Sequence, residues 1–429
     1  MSTLSPDTAV PAAPSPELST VATRSLKAPI AFGVFTVIAA VLFVGFSRDG
    51  DSTFRLATAT DFVQLPDAVL PSAATGTVLT VLLAVVTGVA TVLALQAKRV
   101  PIWLVAAFGV VFLVAFLTWT SAGARIPVPG LLLGALALST PLIFGALGGV
   151  ISERVGVVNV AIEGQLLAGA FVSAVVASAT GSAYVGLASA MVAGVLVSMV
   201  LAVFSIRYIV DQVIVGVVLN VLVTGLTSFL YSQVLTKSDA LNQGVRFPQL
   251  PIPGLSQIPI VGPVFFRQTI IVYLMYVAIA VVFYGLFRTR WGLRLRAVGE
   301  HPQAADTVGI KVNATRFWNV SLAGAIAGLG GAYFTLGSLG NFQKEMTAGA
   351  GFIALAAVIF GRWDPIRATL AALLFGFASN LQNVLGAIGS PVPSEFMLML
   401  PYVVTIFAVA GLVGQSRGPA ASGKPYVKS

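Results

Sequence analysis

Apolar runs of membrane-spanning length, broken by short polar loops, organise this chain from residue 28 to residue 414. A helix needs about 20 apolar residues to cross the hydrocarbon core of a bilayer. The pattern predicts spans at 28–46, 72–95, 101–119, 130–150, 157–178, 183–205, 211–235, 269–287, 317–339, 349–361, 367–388 and 394–414. The expected fold is therefore an all-α polytopic membrane protein of about 12 transmembrane helices. The run at 349–361 is short for a crossing and fits a re-entrant or bundled segment, because irregular backbone survives at membrane depth only when protein surrounds it.

Composition agrees with the pattern. Of the 429 residues, 57% are hydrophobic and 9% charged, against about half and about a quarter in a soluble domain. The net charge of +9 would suggest nucleic acid in a soluble protein. Its placement argues otherwise. With a cytoplasmic N-terminus and every predicted run crossing, 17 of the 24 Lys and Arg residues fall inside and 7 outside. That bias is the one that orients membrane proteins. It predicts cytoplasmic termini and contact with anionic lipid headgroups, and no nucleic acid. Residues 1–27, rich in Pro, Ala, Ser and Thr, read as a disordered cytoplasmic tail, with a second tail at 415–429. Residues 28–120 read as accessory N-terminal helices and 121–414 as the core. Two outer loops are long. Residues 47–71 carry four Asp residues, and 236–268 carry five Pro residues that predict an ordered cap.

The chemistry available is limited. Cysteine is absent and His301 is the single histidine, which removes disulfides and thiol nucleophiles and leaves little for a His-ligated metal. GPAASGKP at 418–425 matches the first seven positions of the phosphate-binding motif G-x-x-x-x-G-K-[ST], but Pro425 stands where Ser or Thr would hold magnesium. No strand precedes it, so it reads as a polar tail. If ATP drives this protein, another chain binds it, and no cofactor is expected on this one.

Intramembrane ionisable groups are costly and often functional. Glu163, in SERVGVVNVAIEGQLLAGAF, is the one clearly inside a predicted span, and Asn159 lies four residues before it on the same helix face. Asn220, Asn380 and Asn383 add amides to otherwise apolar runs. Two readings stand: an amide-lined path for a neutral polar solute, or hydrogen bonds between helices. Gly324 with Gly328, and Gly145 with Gly149, predict closely packed helix faces.

The stretch RTRWGLRLRAVGEHPQAADTVGIK, 288–311, gathers five of the 24 basic residues and His301. The arginines suit the cytoplasmic end of a span. Pro302 fits the first turn of a helix and Gly309 fits its stop, giving a helix of about two turns over 302–308. So short a helix needs something to pack on. It can rest on its own membrane domain or dock a cytoplasmic partner.

At these residues the chain resembles the permease subunits of ABC importers for nucleosides, within a wider group that includes branched-chain amino acid and ribose permeases. The likeness rests on SERVGVVNVAIEGQLLAGAF, DQVIVGVVLN, GLRLRAVGEHPQAADTVGI and GFIALAAVIFGRWDP, and runs from about 130 to 414. The resemblance implies a coupling segment at 291–311. There Gly299, Glu300, Pro302, Ala304, Ala305, Asp306 and Gly309 would meet a cytoplasmic ABC ATPase. It implies further partners: a second, related permease, an extracytoplasmic substrate-binding lipoprotein that delivers a small-molecule solute, and the bacterial plasma membrane around them. Branched-chain amino acids or sugars are alternative solutes. An ion-coupled carrier is a different mechanism, which would want more membrane carboxylates. An intramembrane enzyme would want a convergent nucleophile, base or metal.

Overall fold

The computed structural model describes residues 26–58, 61–98, 100–389, 392–393, 395–396, 399 and 418–427. Among them are ten helices long and apolar enough to cross a membrane, as the hydropathy pattern predicts. The predicted run at 394–414 lies almost wholly outside the described residues. The chain divides into two compact units, one of residues up to 47 with 76–116, the other of 48–75 with 117–429.

The first unit holds α1 (Lys27–Gly45), most of α2 (Ser72–Leu95) and most of α3 (Ile102–Thr120). Aromatic contacts join them. Phe32 stacks on Phe108 with centroids 4.2 Å apart, and Phe35 and Phe43 both meet Phe112. The hydroxyls of Thr36 and Thr87 lie 2.8 Å apart. Only 22–28% of each apolar window in these helices is buried, against 67–72% in α4, α5 and α12 of the second unit. Val78, Val81, Val85 and Val89 face outward along α2, as a surface solvated by lipid would.

The second unit begins with a sheet. β1 (Asp51–Arg55) pairs antiparallel with β2 (Ala68–Pro71) and parallel with β3 (Arg125–Pro127). The acidic loop, expected to belong to an accessory block ending at 120, is therefore built into the core unit. The sequence offers no strand alternation there strong enough to predict this.

The core is α4 (Val128–Arg154), α5 (Ile162–Thr180), α6 (Ala183–Arg207), α7 (Gln212–Lys237), α9 (Ile270–Arg288) and α12 (Val312–Leu339). Small residues set its spacing, as predicted. A Cβ on Gly194 of α6 would sit 2.0 Å from the Gly324 carbonyl, and one on Gly169 of α5 would sit 2.5 Å from the Gly328 carbonyl. Gly145 and Gly149 likewise admit Ala354 and Val358 to the surface of α4. α5 starts at Ile162 rather than near 157. Residues 155–161 form a buried turn through Gly156, whose φ is +92°.

Residues 340–364 resolve the short apolar run. At one end of the bundle, the Asn242 side chain brackets Phe342, accepting from its N–H at 2.7 Å and donating to its carbonyl at 3.1 Å. At the other end, the Trp363 indole donates to Glu153 near the end of α4. Between them the chain descends through turns and then α13 (Ala350–Phe360). An 11-residue helix spans only about 16 Å. The crossing is thus half irregular backbone and half helix, enclosed by α4, α5 and α14 (Pro365–Ala387). Asp364 caps α14, accepting from the N–H groups of Ile366 and Arg367 at 3.0 Å each.

The far end of the bundle carries the Pro-rich loop, with α8 (Val261–Phe265) and the short pair β4 (Leu250–Pro251) and β5 (Arg267–Gln268). The basic end carries α10 (Arg290–Glu300) and α11 (Pro302–Thr307). α11 stops one residue before the predicted end.

Candidate functional site

Two polar sites emerge, one inside the bundle and one at its basic end. Inside, Glu163 sits in the first turn of α5 at 8% exposure. Its carboxylate accepts from the Thr347 hydroxyl at 2.6 Å, the Gly349 N–H at 2.9 Å and the Gly351 N–H at 2.6 Å. The two N–H groups are unpaired donors at the start of α13, which otherwise has no side-chain cap. A carboxylate at a helix N-terminus also complements the helix dipole. Gly351 has to be glycine, since a Cβ there would lie 2.3 Å from the Glu163 backbone nitrogen.

The predicted amides take related places. Asn159 is fully buried and exchanges paired hydrogen bonds with Gln165 at 3.1 Å, and Gln165 donates onward to Ser198 at 2.9 Å. Asn220 of α7 accepts from the Gly164 N–H at 2.8 Å and donates to the Val160 carbonyl at 2.9 Å, so it ties down the turn before α5. Asn380 of α14 stands apart from these and donates to the Leu131 carbonyl of α4 at 2.8 Å. Asn383 is exposed. The structure thus gathers Asn159, Glu163 and Asn220 around the start of α5, and places Asn380 and Asn383 elsewhere. Thr347, Gly349, Gln165 and Ser198 complete the cluster and were not singled out in the sequence. The one hint was TAGAG at 347–351, a helix-breaking run just before an apolar one.

At the basic end, Thr289 caps α10 by accepting from the Gly292 N–H at 3.2 Å. Gly292 fits against α9, and Gly299 against α4, where a Cβ would sit 2.0 Å from the Arg154 carbonyl. Gly299 is accordingly buried and Glu300 exposed. Pro302 opens α11. Gly309, at φ +83°, closes it, with its N–H donating to the Asp306 carbonyl at 2.9 Å. Ala305 is buried at 3% exposure, whereas Ala304, Thr307 and Val308 are exposed, Val308 at 75%. Ala305 is thus the one buried side chain of this short helix, and the opposite side stays open.

Beside it lies Arg154, which donates from Nε to the Trp363 carbonyl at 2.9 Å. The segment 418–427 lies here too. The Tyr426 phenol donates to the Asp306 carboxylate, and partial burial together with that carboxylate pushes the phenol above its ordinary pKa. Among the described residues no group of three or more His, Cys, Asp or Glu residues is arranged to hold a metal.

A protein family described as "Branched-chain amino acid transport system / permease component" matches residues 131–409. A nucleoside ABC transporter permease of Lactococcus lactis is 42% identical over 304 residues, 68% of this chain and 95% of the relative. A guanosine ABC transporter permease of Bacillus subtilis is 40% identical over 303 residues, with the same coverage. A putative glucose ABC transporter permease of Haloferax volcanii is 39% identical over 257 residues, 59% of this chain and 77% of the relative. No solved structure matches.

Proposed function

We propose, from the premise that the chain belongs to the permease components of branched-chain amino acid-type ABC transport systems, that it is the transmembrane permease subunit of an ATP-driven importer of nucleosides. The observation that carries this is 42% and 40% identity over nearly the full length of a nucleoside and a guanosine permease. The role is transport, and the chain is a multi-pass membrane protein.

A separate cytoplasmic ABC ATPase docks on the open side of α11, through Ala304, Thr307 and Val308. A second, related permease completes the path, and an extracytoplasmic lipoprotein delivers the nucleoside to the Pro-rich end. Both termini face the cytoplasm of a bacterial cell. Hydrolysis moves α10 and α11, and the core helices follow. Of the amides, Asn383 has the exposed side chain suited to meeting solute, while Asn159, Asn220 and Asn380 hold the walls.

An ion-coupled mechanism is less well supported by the same geometry. A carboxylate that already accepts from three donors is a poor proton relay.

The test is uptake of labelled guanosine in cells expressing the whole system, competed with unlabelled inosine, leucine and glucose. Competition by inosine alone is expected. Competition by leucine or glucose would reassign the solute. Uptake that collapses with the proton gradient while ATP is held constant would overturn ATP coupling.

A further inference from the structure

The segment GPAASGKPYV, 418–427, resembles a nucleotide loop only superficially, yet it is firmly placed. It folds as two successive turns, with the Ser422 N–H donating to the Pro419 carbonyl at 3.0 Å and the Lys424 N–H to the Ala421 carbonyl at 3.2 Å. Pro419 and Ala421 are buried. Short polar segments at a chain end are ordinarily loose unless something ties them down.

This one is tied to several elements at once. The Ala421 N–H donates to the Gly299 carbonyl at 2.9 Å, and the Ala420 N–H to the Glu300 carboxylate at 3.2 Å. Both bonds fall at the end of α10, where α11 is about to begin. Tyr426 donates to Asp306 on α11 itself. Gly418 lies against the Trp363 indole, and Gly423 lies against Val158 in the turn before α5. Tyr426 and Val427 also wall a groove with Ile206, Arg207, Asn313 and Phe317 at the ends of α6 and α12.

Arg316 of α12 gives the independent observation. It is 2% exposed, and its Nη1 donates to the Lys424 carbonyl at 2.8 Å. Its Nε and Nη2 have no hydrogen-bond partner among the described residues. A buried guanidinium with a single partner is costly, so the tail carbonyl is what holds it in place.

The tail leaves the open side of α11 uncovered, since Ala304, Thr307 and Val308 stay exposed with the tail in place. It therefore does not compete for that surface. We propose that residues 418–427 are a brace, which binds the coupling segment from the membrane side and carries its motion into α12 and the α13–α14 turn. Ala421, Lys424 and Tyr426 are positioning residues in this role. They stiffen the segment on which a partner pushes, and this rests on the docking reading of α11 given above.

The test uses the complete importer in vesicles, with solute imported per ATP hydrolysed as the readout. Deleting 418–429 should leave membrane insertion unchanged and lower that ratio by about tenfold, within the usual range of coupling free energies. Ala421→Trp, which cannot be seated in its buried site, should do the same without shortening the chain. An unchanged ratio in both overturns the brace.

Because the chain has no cysteine, Val158→Cys with Gly423→Cys can fix the tail in place by a disulfide. Uptake should persist in the oxidised protein. Uptake lost on oxidation and restored by reductant would overturn the brace, because the tail would then have to release. Val308→Arg separates this inference from the one beneath it. Normal uptake in that variant sinks the docking reading. Lost uptake there, with normal coupling in the tail variants, sinks the brace alone.

Discussion

α13 and α11 are both too short to be stable alone, and the protein secures them in opposite ways. α13 is enclosed, and a buried carboxylate satisfies the donors that open it. α11 lies at the surface, started by Pro302, stopped by Gly309 and anchored by the single buried side chain of Ala305. In the bundle an unpaired N–H has no water to turn to and is expensive, so Glu163, Asn159 and Asn220 are used up in holding structure. At the basic end water pays that cost, and Ala304, Thr307 and Val308 are left available to a partner. Buried polarity here builds the walls, and exposed surface is where exchange with other molecules takes place.

The contrast can be broken from the inside. Glu163→Ala leaves three donors unpaired, at about 1–3 kcal/mol each. The yield of folded protein in detergent should fall steeply, and a normal melting temperature would remove Glu163 from its capping role. Gly299→Val forces a side chain onto the Arg154 carbonyl, for about 1–3 kcal/mol of overpacking. Its melting temperature should drop, as it should not for the neighbouring exposed Glu300→Ala.

Glu163→Gln is a finer cut. An amide can still accept through its oxygen but its NH2 cannot accept from Gly351, for a loss of about 1–3 kcal/mol. The protein should melt earlier yet still import solute in vesicles whose proton gradient has been dissipated. Import that stops there would give Glu163 a protonation role instead.

The exposed positions complete the series. Glu300→Ala should shift stability by no more than about 0.5 kcal/mol and reduce uptake through weaker coupling to ATP hydrolysis. Asn383→Ala should likewise leave the melting temperature alone, and raise the KM for solute if that amide meets the path. An unchanged KM would leave Asn383 without a role in transport.

Much of this was legible in the chain itself. Span positions came from hydropathy, because a bilayer imposes a length and an apolar composition that no other constraint imitates. The start and stop of α11 came from Pro302 and Gly309, because proline and glycine act through their own backbone. The close helix faces at Gly324 and Gly328 followed from the spacing of small residues. Function was legible through motif likeness, and the comparisons with relatives carry it further.

Tertiary structure decided what depends on partners distant in sequence. Asn159 and Glu163 are spaced for one helix face, yet Asn159 falls in the turn before α5, and the partners each finds lie 184 residues away at Thr347 for Glu163 and at Gln165 for Asn159. The strands β1 and β3 pair across the 69 residues of chain between them, more than half of which belong to the other unit. The tail at 418–427 looks idle until Gly299, Asp306 and Arg316 are brought beneath it. Local composition can say that a group is polar and where along a helix it lies. Whether it lines a path, caps a helix or braces a moving segment is set by which groups surround it once the chain is packed.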